Sequence, residues 1–292
     1  MLSILIPVYN YNVYPLVSEL HKQCLECGIA FEILCQDDAS NLYLNENQKI
    51  NSLENCSYFS SEHNSGRTAT RNKLAKKALF KWLLFLDADV IPVYSNFIDN
   101  YILFVNNEYP VVLGGYKYKD IKHKPEVSFR HKYGKEREEK TPLERNSNPY
   151  NFIFSGNILL RKEIFMVANY ADNNAFYGMD VYFAYQLYIN KIKVIHIENP
   201  IYHLGLETNE IFFKKSLKAV ESRKKFLINC DQIEKISPLI KHYKIIKRCG
   251  LLPVAILCFR ISRPILKKLI LNKNPNLLCF DLYRLGYICT IK

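Results

Sequence analysis

Residues 83–92 read LLFLDADVIP, an apolar run of strand length that ends on Asp87 and Asp89. A continuous apolar run is typical of a buried parallel strand. Open α/β sheets bind their ligands at the carboxyl ends of such strands. Two carboxylates one residue apart suit a hard divalent ion, Mg²⁺ or Mn²⁺, which takes oxygen ligands from the protein and from substrate phosphates. A solvated turn is the alternative, because Asp is common in turns.

The first half of the chain alternates predicted strands with predicted helices, which indicates an α/β fold with a parallel sheet and crossover helices. The other predicted strands cover residues 3–8, 31–35 and 57–60, and the predicted helices cover 14–27 and 68–80. Polar residues follow each strand. Because parallel strands end at one edge of a sheet, that edge is the predicted ligand face.

The second half has a different character. Residues 114–150 are rich in Lys, Glu, Arg, Tyr and Pro, which predicts a mobile, partly ordered insertion. The later predicted elements are strands at 152–161 and 193–197, a helix at 183–190, and basic amphipathic helices after residue 211, broken by Pro238, Pro253 and Pro264. The predicted domains are a catalytic domain at 1–225, with halves 1–113 and 114–225, and a helical region at 226–292.

The composition narrows the class of protein. A hydrophobic content of 49% and a charged content of 23% match an ordinary globular protein of 292 residues. The net charge of +12 favours an anionic partner: nucleotide phosphates, an anionic membrane leaflet or nucleic acid. The nine cysteines form no disulfide framework, which favours a cytoplasmic location. We expect no signal peptide, because the sequence begins directly with a strand.

Short motifs occur along the chain in a defined order. They are IPVYN at 6–10, QDDAS at 36–40, NSGR at 64–67 followed by RN at 71–72, LDAD at 86–89, SGN at 155–157 and GMD at 178–180. Together they resemble the family 2 glycosyltransferases over roughly residues 2–225. The resemblance implies the GT-A fold, a Rossmann-like and mostly parallel sheet flanked by helices, here with a helical C-terminal extension.

The resemblance also implies roles for the motif residues. The implied nucleotide-sugar-binding residues are Pro7, Tyr9, Asn10, Asp37, Asp38, Asn64, Gly66, Arg71, Asp87 and Ala88, and the implied acceptor-side residues are Gly156, Asn157 and Met179. Carboxylates at a strand end can accept hydrogen bonds from a base or a ribose. Gly66 allows close approach before a helix start, which favours phosphate. The alternatives are a turn cap for Asp37 and Asp38 and an ordinary surface position for Arg71.

The metal ligands and the base follow from the same resemblance. Asp87, Asp89 and His203 would hold Mn²⁺ or Mg²⁺, which offsets the charge that builds up on the leaving diphosphate. A structural histidine is the alternative for His203. Asp180 would accept the proton of the attacking hydroxyl. It follows Met179, where the family usually has Glu, and a helix N-cap is the alternative for Asp180.

The C-terminal region combines cations with apolar residues in a helical register. The cations are Lys241, Lys244, Lys247, Arg248, Arg260, Arg263, Lys267 and Lys268. This pattern suits an interfacial helix on an anionic leaflet, and a cationic helix packed on the catalytic domain is the alternative. We therefore expect a cytoplasmic protein that is peripheral on the inner face of the cytoplasmic membrane.

The sequence as a whole favours an inverting, metal-dependent glycosyltransferase of hexosyl or N-acetylhexosaminyl type. The favoured donor is a UDP-sugar, and the favoured acceptor is a glycan or lipid-linked glycan in cell-surface polysaccharide synthesis. A nucleotidyltransferase is an alternative, which the glycine-free turn at 8–12 disfavours. A non-catalytic binder of nucleotide-sugar or nucleic acid is another. The retained carboxylates count against it, and no nucleic-acid-binding motif is recognised.

Overall fold

The computed structural model describes residues 1–105, 107–121, 124–170 and 176–291. The chain divides into two compact units. The first unit comprises Met1–Lys119, Glu139–Ala175 and Gln186–Gly205, and the second comprises Asp120–Glu138, Phe176–Tyr185 and Leu206–Lys292. The boundary predicted at 225/226 falls inside one continuous helix, Asn209–Leu227, and the predicted domains stay a prediction.

The described part of the first unit contains two sheets. Their strands are β1 (Leu2–Val8), β2 (Phe31–Asp37), β3 (Cys56–Ser60), β4 (Trp82–Leu86), β5 (Val90–Pro92), β6 (Val111–Leu113), β7 (Tyr116–Lys117), β8 (Asn157–Arg161), β9 (Val194–His196) and β10 (Ile201–His203). The large sheet has the order β3-β2-β1-β4-β8-β6-β9, and the small sheet has the order β5-β10-β7. In the large sheet only β8 runs antiparallel to its neighbours, so the prediction of a mostly parallel sheet is confirmed.

Strands β1, β2 and β4 form the centre of the large sheet. All residues of β2 and β4 are buried, as their continuous apolar sequences predict. Leu2 pairs with Phe31 on one side and with Trp82 on the other, and Val8 pairs with Asp37 at the far end. The carboxyl ends of these strands therefore meet at one edge.

The described helices connect the strands and form most of the second unit. They are α1 (Tyr14–Glu26), α2 (Leu44–Gln48), α3 (Arg67–Lys77), α4 (Phe97–Ile102), α5 (Ser128–Tyr133), α6 (Pro142–Ser147), α7 (Lys162–Ala168), α8 (Asp180–Ile189), α9 (Asn209–Leu227), α10 (Pro238–Arg248), α11 (Leu252–Ile270) and α12 (Leu277–Thr290). Short 3-10 helices span Lys49–Ser52, Pro125–Val127, Pro149–Phe152 and Ile233–Lys235, and a π-helical turn spans Gly134–Glu138. Within the described residues, no helix has both the length and the apolar character needed to cross a bilayer.

The prolines of the C-terminal region do not all act as predicted. Pro238 and Pro253 lie in the first turns of α10 and α11, where the missing N–H costs nothing. Pro264 lies inside α11, so the prediction that it breaks a helix is wrong. Phe259 and Ile270, on either side of it, are buried in the core of the second unit. Their packing outweighs the lost hydrogen bond.

The described part of 114–150 forms helices and a short strand, which is more regular structure than the composition indicated, and its mobility stays a prediction. Helix α6 begins with a capping box between Thr141 and Glu144. Arg145 follows them and is buried. Its guanidinium donates to backbone carbonyl oxygens at the ends of β6 and β9 over 3.4, 3.3 and 2.8 Å. These hydrogen bonds offset the free-energy cost of removing the guanidinium from water. Arg145 is therefore buried in a segment whose composition indicated exposure.

His196, the last residue of β9, is buried beside Arg145. Its Nδ1 lies 3.3 Å from Arg145 Nη1, and because a guanidinium can only donate, Nδ1 is the unprotonated nitrogen. Its Nε2 donates to the carbonyl oxygen of Pro149 over 2.9 Å. Burial lowers the pKa of His196 to about 4, the bond to Pro149 opposes this shift, and the charge of Arg145 adds to it.

Candidate active site

Polar residues gather where the central strands of the first unit end. Asn10 follows β1, Asp37 ends β2, and Asp87 follows β4. Because β1 pairs in parallel with both β2 and β4, these ends lie side by side. The sheet edge predicted from the sequence is present, and its role as the ligand face stays a prediction.

Asp37, the last residue of β2, makes the turn contact that was the alternative to a binding role. Its Oδ1 accepts a hydrogen bond from the backbone N–H of Ser40 over 2.8 Å, and its Oδ2 accepts one from the Tyr58 hydroxyl over 2.9 Å. Burial raises the pKa of Tyr58, and the bond to Asp37 raises it further. Asp37 is therefore a fixed acceptor that ties two neighbouring strands together.

Asp38 holds the loop in front of helix α3. Its carboxylate accepts hydrogen bonds from the backbone N–H groups of Ser65 and Gly66, both over 2.8 Å. Asn64 donates to the carbonyl oxygen of Asp38 over 3.1 Å. Gly66 has φ +83°, a left-handed conformation that favours glycine. The structure thus brings the predicted residues Asp38, Asn64 and Gly66 together.

The turn after β1 has a fixed shape. Asn10 adopts φ +50°, its N–H donates to Ser40 Oγ over 2.7 Å, and its Oδ1 accepts from the N–H of Asn41 over 2.8 Å. Tyr9, one residue earlier, is exposed, and Pro7 is half-buried within β1. Tyr9 is therefore the predicted nucleotide-side residue with the most accessible side chain in this turn.

Two arginines bind the carboxylate of Asp87. Arg67 Nη2 lies 2.6 and 2.5 Å from its two oxygens, and Arg71 Nη2 lies 2.8 Å from Oδ1. Arg71 also donates to the carbonyl oxygen of Ser155 over 2.8 Å. Burial by itself would raise the pKa of Asp87, but Arg67, Arg71 and His203 outweigh it and hold that pKa below its usual range. Arg71 is thus a buried partner of a carboxylate and not a surface residue.

Gly156 lies directly against Asp87. A Cβ atom on Gly156 would lie 2.2 Å from Asp87 Oδ2 and 2.3 Å from the Tyr116 hydroxyl, so no side chain fits there. The N–H of Asp87 donates to the carbonyl oxygen of Gly156 over 3.3 Å. Ala88, the next residue, is buried. The SGN motif and the LDAD motif therefore form one packed unit.

Asn157 has its side chain fully engaged in hydrogen bonds. Its Nδ2 donates to the carbonyl oxygens of Gly115 and Asn199 over 2.8 and 3.0 Å, and its Oδ1 accepts from the Tyr101 hydroxyl over 2.6 Å. These bonds fix the start of β8 next to Gly156. A contact with an acceptor stays a prediction.

The strand pairing of the small sheet places His203 beside Asp89. Strand β10 pairs antiparallel with β5, His203 opposite Val90, and this places His203 Nε2 3.7 Å from Asp89 Oδ2. His203 Nδ1 is buried, and no described residue bonds to it. A Cβ on Gly205 would lie 1.9 Å from Asp89 Oδ2. Burial raises the pKa of Asp89, the charge of Asp87 adds to the rise, and His203 opposes it.

The donor set at this position fits a divalent cation in part. A half-buried carboxylate beside an imidazole is a suitable pair of ligands, and Mg²⁺ or Mn²⁺ fills the rest of its shell with water and phosphate oxygens. However, no three His, Cys, Asp or Glu side chains are grouped to hold a metal in the described ranges. The metal roles of Asp87, Asp89 and His203 stay a prediction, and in this structure Asp87 is bound by two arginines.

Asp180 and Met179 lie in the second unit. Asp180 is the first residue of α8, one position after the N-cap that was the alternative for it. The preceding Gly178 has φ +80°, and a Cβ on it would lie 2.5 Å from Ala219 Cβ. Burial lowers the pKa of Arg223 to about 10, and the negative charge of Asp180 opposes that shift. The role of Asp180 as a base stays a prediction.

Arg67 was not predicted to be a site residue, although it ends the NSGR motif at 64–67. Arg67 is the first residue of α3, directly after Gly66. A cation is unfavourable at a helix N-terminus because of the helix dipole. Its presence there indicates a compensating partner, which the structure identifies as Asp87.

The fold and site define a GT-A type α/β protein with an Asp-x-Asp pair at the carboxyl edge of its sheet. The chain belongs to glycosyl transferase family 2, whose family model matches residues 3–167. This confirms the resemblance seen in the short motifs. No curated protein matches the sequence.

Solved structures of S. aureus TarS are similar in fold. The TarS crystal structure has a TM-score of 0.54 and 20% identity, over 82% of this chain and 42% of that one. TarS 1–349 in complex with UDP has a TM-score of 0.53 and 19% identity, over 82% and 69%. TarS 1–349 in complex with UDP-GlcNAc has a TM-score of 0.50 and 18% identity, over 82% and 70%. The chain thus spans less than half of the longest of these relatives.

Proposed function

We propose that this chain is an inverting, metal-dependent glycosyltransferase that uses a nucleotide-diphospho-sugar. The acceptor would be a hydroxyl of a glycan or lipid-linked glycan in cell-surface polysaccharide synthesis. The proposal rests on one observation above all. In a family 2 chain, the end of β4 presents ionised Asp87 and half-buried Asp89 beside two arginines and a histidine.

The residues at this edge would divide the work. Arg67 and Arg71 supply positive charge that attracts a diphosphate. Asp89 and His203, with Asp87 close by, would hold Mn²⁺ or Mg²⁺, and the bound ion would offset the negative charge on the leaving group. Asp180 would accept the proton of the acceptor hydroxyl.

A uridine nucleotide is the donor class we propose. The support is that TarS structures of the same fold contain UDP and UDP-GlcNAc. The Asp37–Asp38 carboxylates lie near the turn after β1, at the edge where a base and ribose would bind. A cytoplasmic position on the inner membrane face would give the enzyme access to a lipid-linked acceptor.

A donor screen tests the proposal. Purified protein with Mn²⁺ or Mg²⁺ is incubated with UDP-, GDP- and dTDP-sugars, and nucleoside diphosphate release is measured with and without glycan acceptors. We expect release from UDP-sugars, and none from the Asp89→Ala variant. A nucleotidyltransferase would instead release pyrophosphate from a nucleoside triphosphate and a sugar phosphate. That product, or binding of UDP without turnover across all donors, would contradict the proposal.

A further inference from the structure

Helix α11 of the second unit has two apolar faces. Its inner face carries Phe259 and Ile270, which are buried in an aromatic core. The ring of Phe259 lies 5.0 Å from that of Tyr283 on α12. A Cβ added to Gly286 of α12 would lie 2.2 Å from Phe259 Cδ2, so the two helices are in close contact. The orientation of α11 is therefore fixed by packing within its own unit.

The outer face of α11 is a row of exposed aliphatic side chains. The row consists of Val254, Leu257, Ile261, Ile265 and Leu269, which are 40–69% exposed. Their spacing of three or four residues places them on one side of the helix, away from Phe259 and Ile270. An isolated exposed apolar residue is normal, but a contiguous row of large ones marks an interaction surface.

The stretch of sequence that contains this row carries charge of a single sign, and the one acidic residue paired with α11 among the described residues is Glu210, 3.8 Å from Lys267. The sequence has no Asp or Glu between Lys235 and Phe280. The basic residues of that stretch are Lys235, Lys241, Lys244, Lys247, Arg248, Arg260, Arg263, Lys267, Lys268 and Lys273. Arg260 and Lys268 on α11 are exposed, and no described residue forms an ion pair with them. A partner that binds this face must therefore be attracted by a high density of positive charge.

We propose that the outer face of α11 binds the surface of an anionic lipid bilayer. The row would insert among the acyl chains near the headgroups, while Arg260 and Lys268 would contact anionic headgroups. The helix of 19 residues is about 28 Å long and would lie in the plane of the surface. A second copy of this chain would bring two cationic faces together, and the like charges would repel. Membrane binding by this face does not require the proposed transferase activity.

Vesicle flotation of the full chain tests the proposal. Wild-type protein should bind vesicles of phosphatidylcholine with phosphatidylglycerol, and bind pure phosphatidylcholine less well. The double variant Ile261→Gln/Ile265→Gln should lose roughly a hundredfold in partitioning, since two large apolar groups no longer insert. Arg260→Gln/Lys268→Gln should lose about thirtyfold on anionic vesicles only. High salt should reduce wild-type binding but not abolish it.

A matched control removes the same kind of side chain elsewhere. Leu79→Gln/Leu143→Gln changes two residues of the first unit that are 81% and 84% exposed, and it should bind vesicles like the wild type. Circular dichroism and light scattering of each variant check folding and oligomeric state. Equal flotation of wild type and the Ile261/Ile265 variant, or no flotation of the wild type, would overturn the proposal. So would a stable wild-type dimer that the variant converts to monomer without any vesicle binding.

Discussion

Replacement of Gly156 by Ala tests whether the packing behind Asp87 matters for transfer. The added methyl would lie 2.2 Å from Asp87 Oδ2, so the carboxylate must move by about 1 Å to reach ordinary contact. A displacement of that size in a preorganised site costs on the order of a hundredfold in rate. The expected result is therefore a fall of about a hundredfold in kcat/KM for nucleoside diphosphate release.

Gly28→Ala is the matched control for this experiment. Gly28 has φ +62°, so an alanine there is strained, but its Cβ would have no neighbour within 4 Å. Both variants should lose roughly 1–2 kcal/mol of stability, the first by overpacking and the second by backbone strain. Only Gly156→Ala should lose more activity than the unfolded fraction of the variant accounts for. If the two variants lose activity equally, the packing of Gly156 on Asp87 has no catalytic role.

Three further outcomes follow from the site and its surroundings. Asp89→Ala should reduce transfer by roughly a hundredfold or more and EDTA should mimic it in the wild type, whereas full activity in EDTA would refute a metal site. Asp180→Asn should lower the rate by roughly a hundredfold to ten-thousandfold with UDP-sugar affinity unchanged by calorimetry, whereas a parallel loss of affinity would make Asp180 a donor ligand. His196 has a folded-state pKa of about 4, below its unfolded value, so its contribution to stability is present above pH 6.5 and is lost as the pH falls toward 4. The free energy of unfolding, measured with urea, should therefore fall between pH 7 and pH 4.5 by about 2–3 kcal/mol more for wild type than for His196→Gln. Equal falls for the two proteins would contradict this.

The central strands were predictable because burial on both faces leaves a simple signal. Strand β4 is apolar at every position. It spans Trp82–Leu86 in the structure, and the sequence predicted that it begins at residue 83. Its end at Asp87 was equally clear, because a carboxylate cannot stay unpaired inside the sheet. Asp-x-Asp was therefore correctly placed at the carboxyl edge of the sheet.

The small sheet carried no such signal. Its strands Val90–Pro92, Tyr116–Lys117 and Ile201–His203 have two or three residues each, too few for a periodic pattern. Yet this sheet brings His203 to Asp89. The family resemblance, not any local pattern, pointed to His203. Long-range pairing of short segments is decided by tertiary packing, which a local reading of sequence does not contain.

The regular structure within 114–150 was not predictable from composition for a related reason. Charged composition indicates exposure on average, because an unpaired charge is costly to bury. Arg145 is an exception, since one guanidinium presents five donors and can satisfy several strand-end carbonyl oxygens at once. A Cβ on Gly115, which has φ +90°, would lie 2.7 Å from that guanidinium, so the chain passes close to it. Arg145 therefore stabilises this sheet edge because it donates hydrogen bonds to backbone carbonyl oxygens at the strand ends. Its charge alone would have predicted a position exposed to solvent.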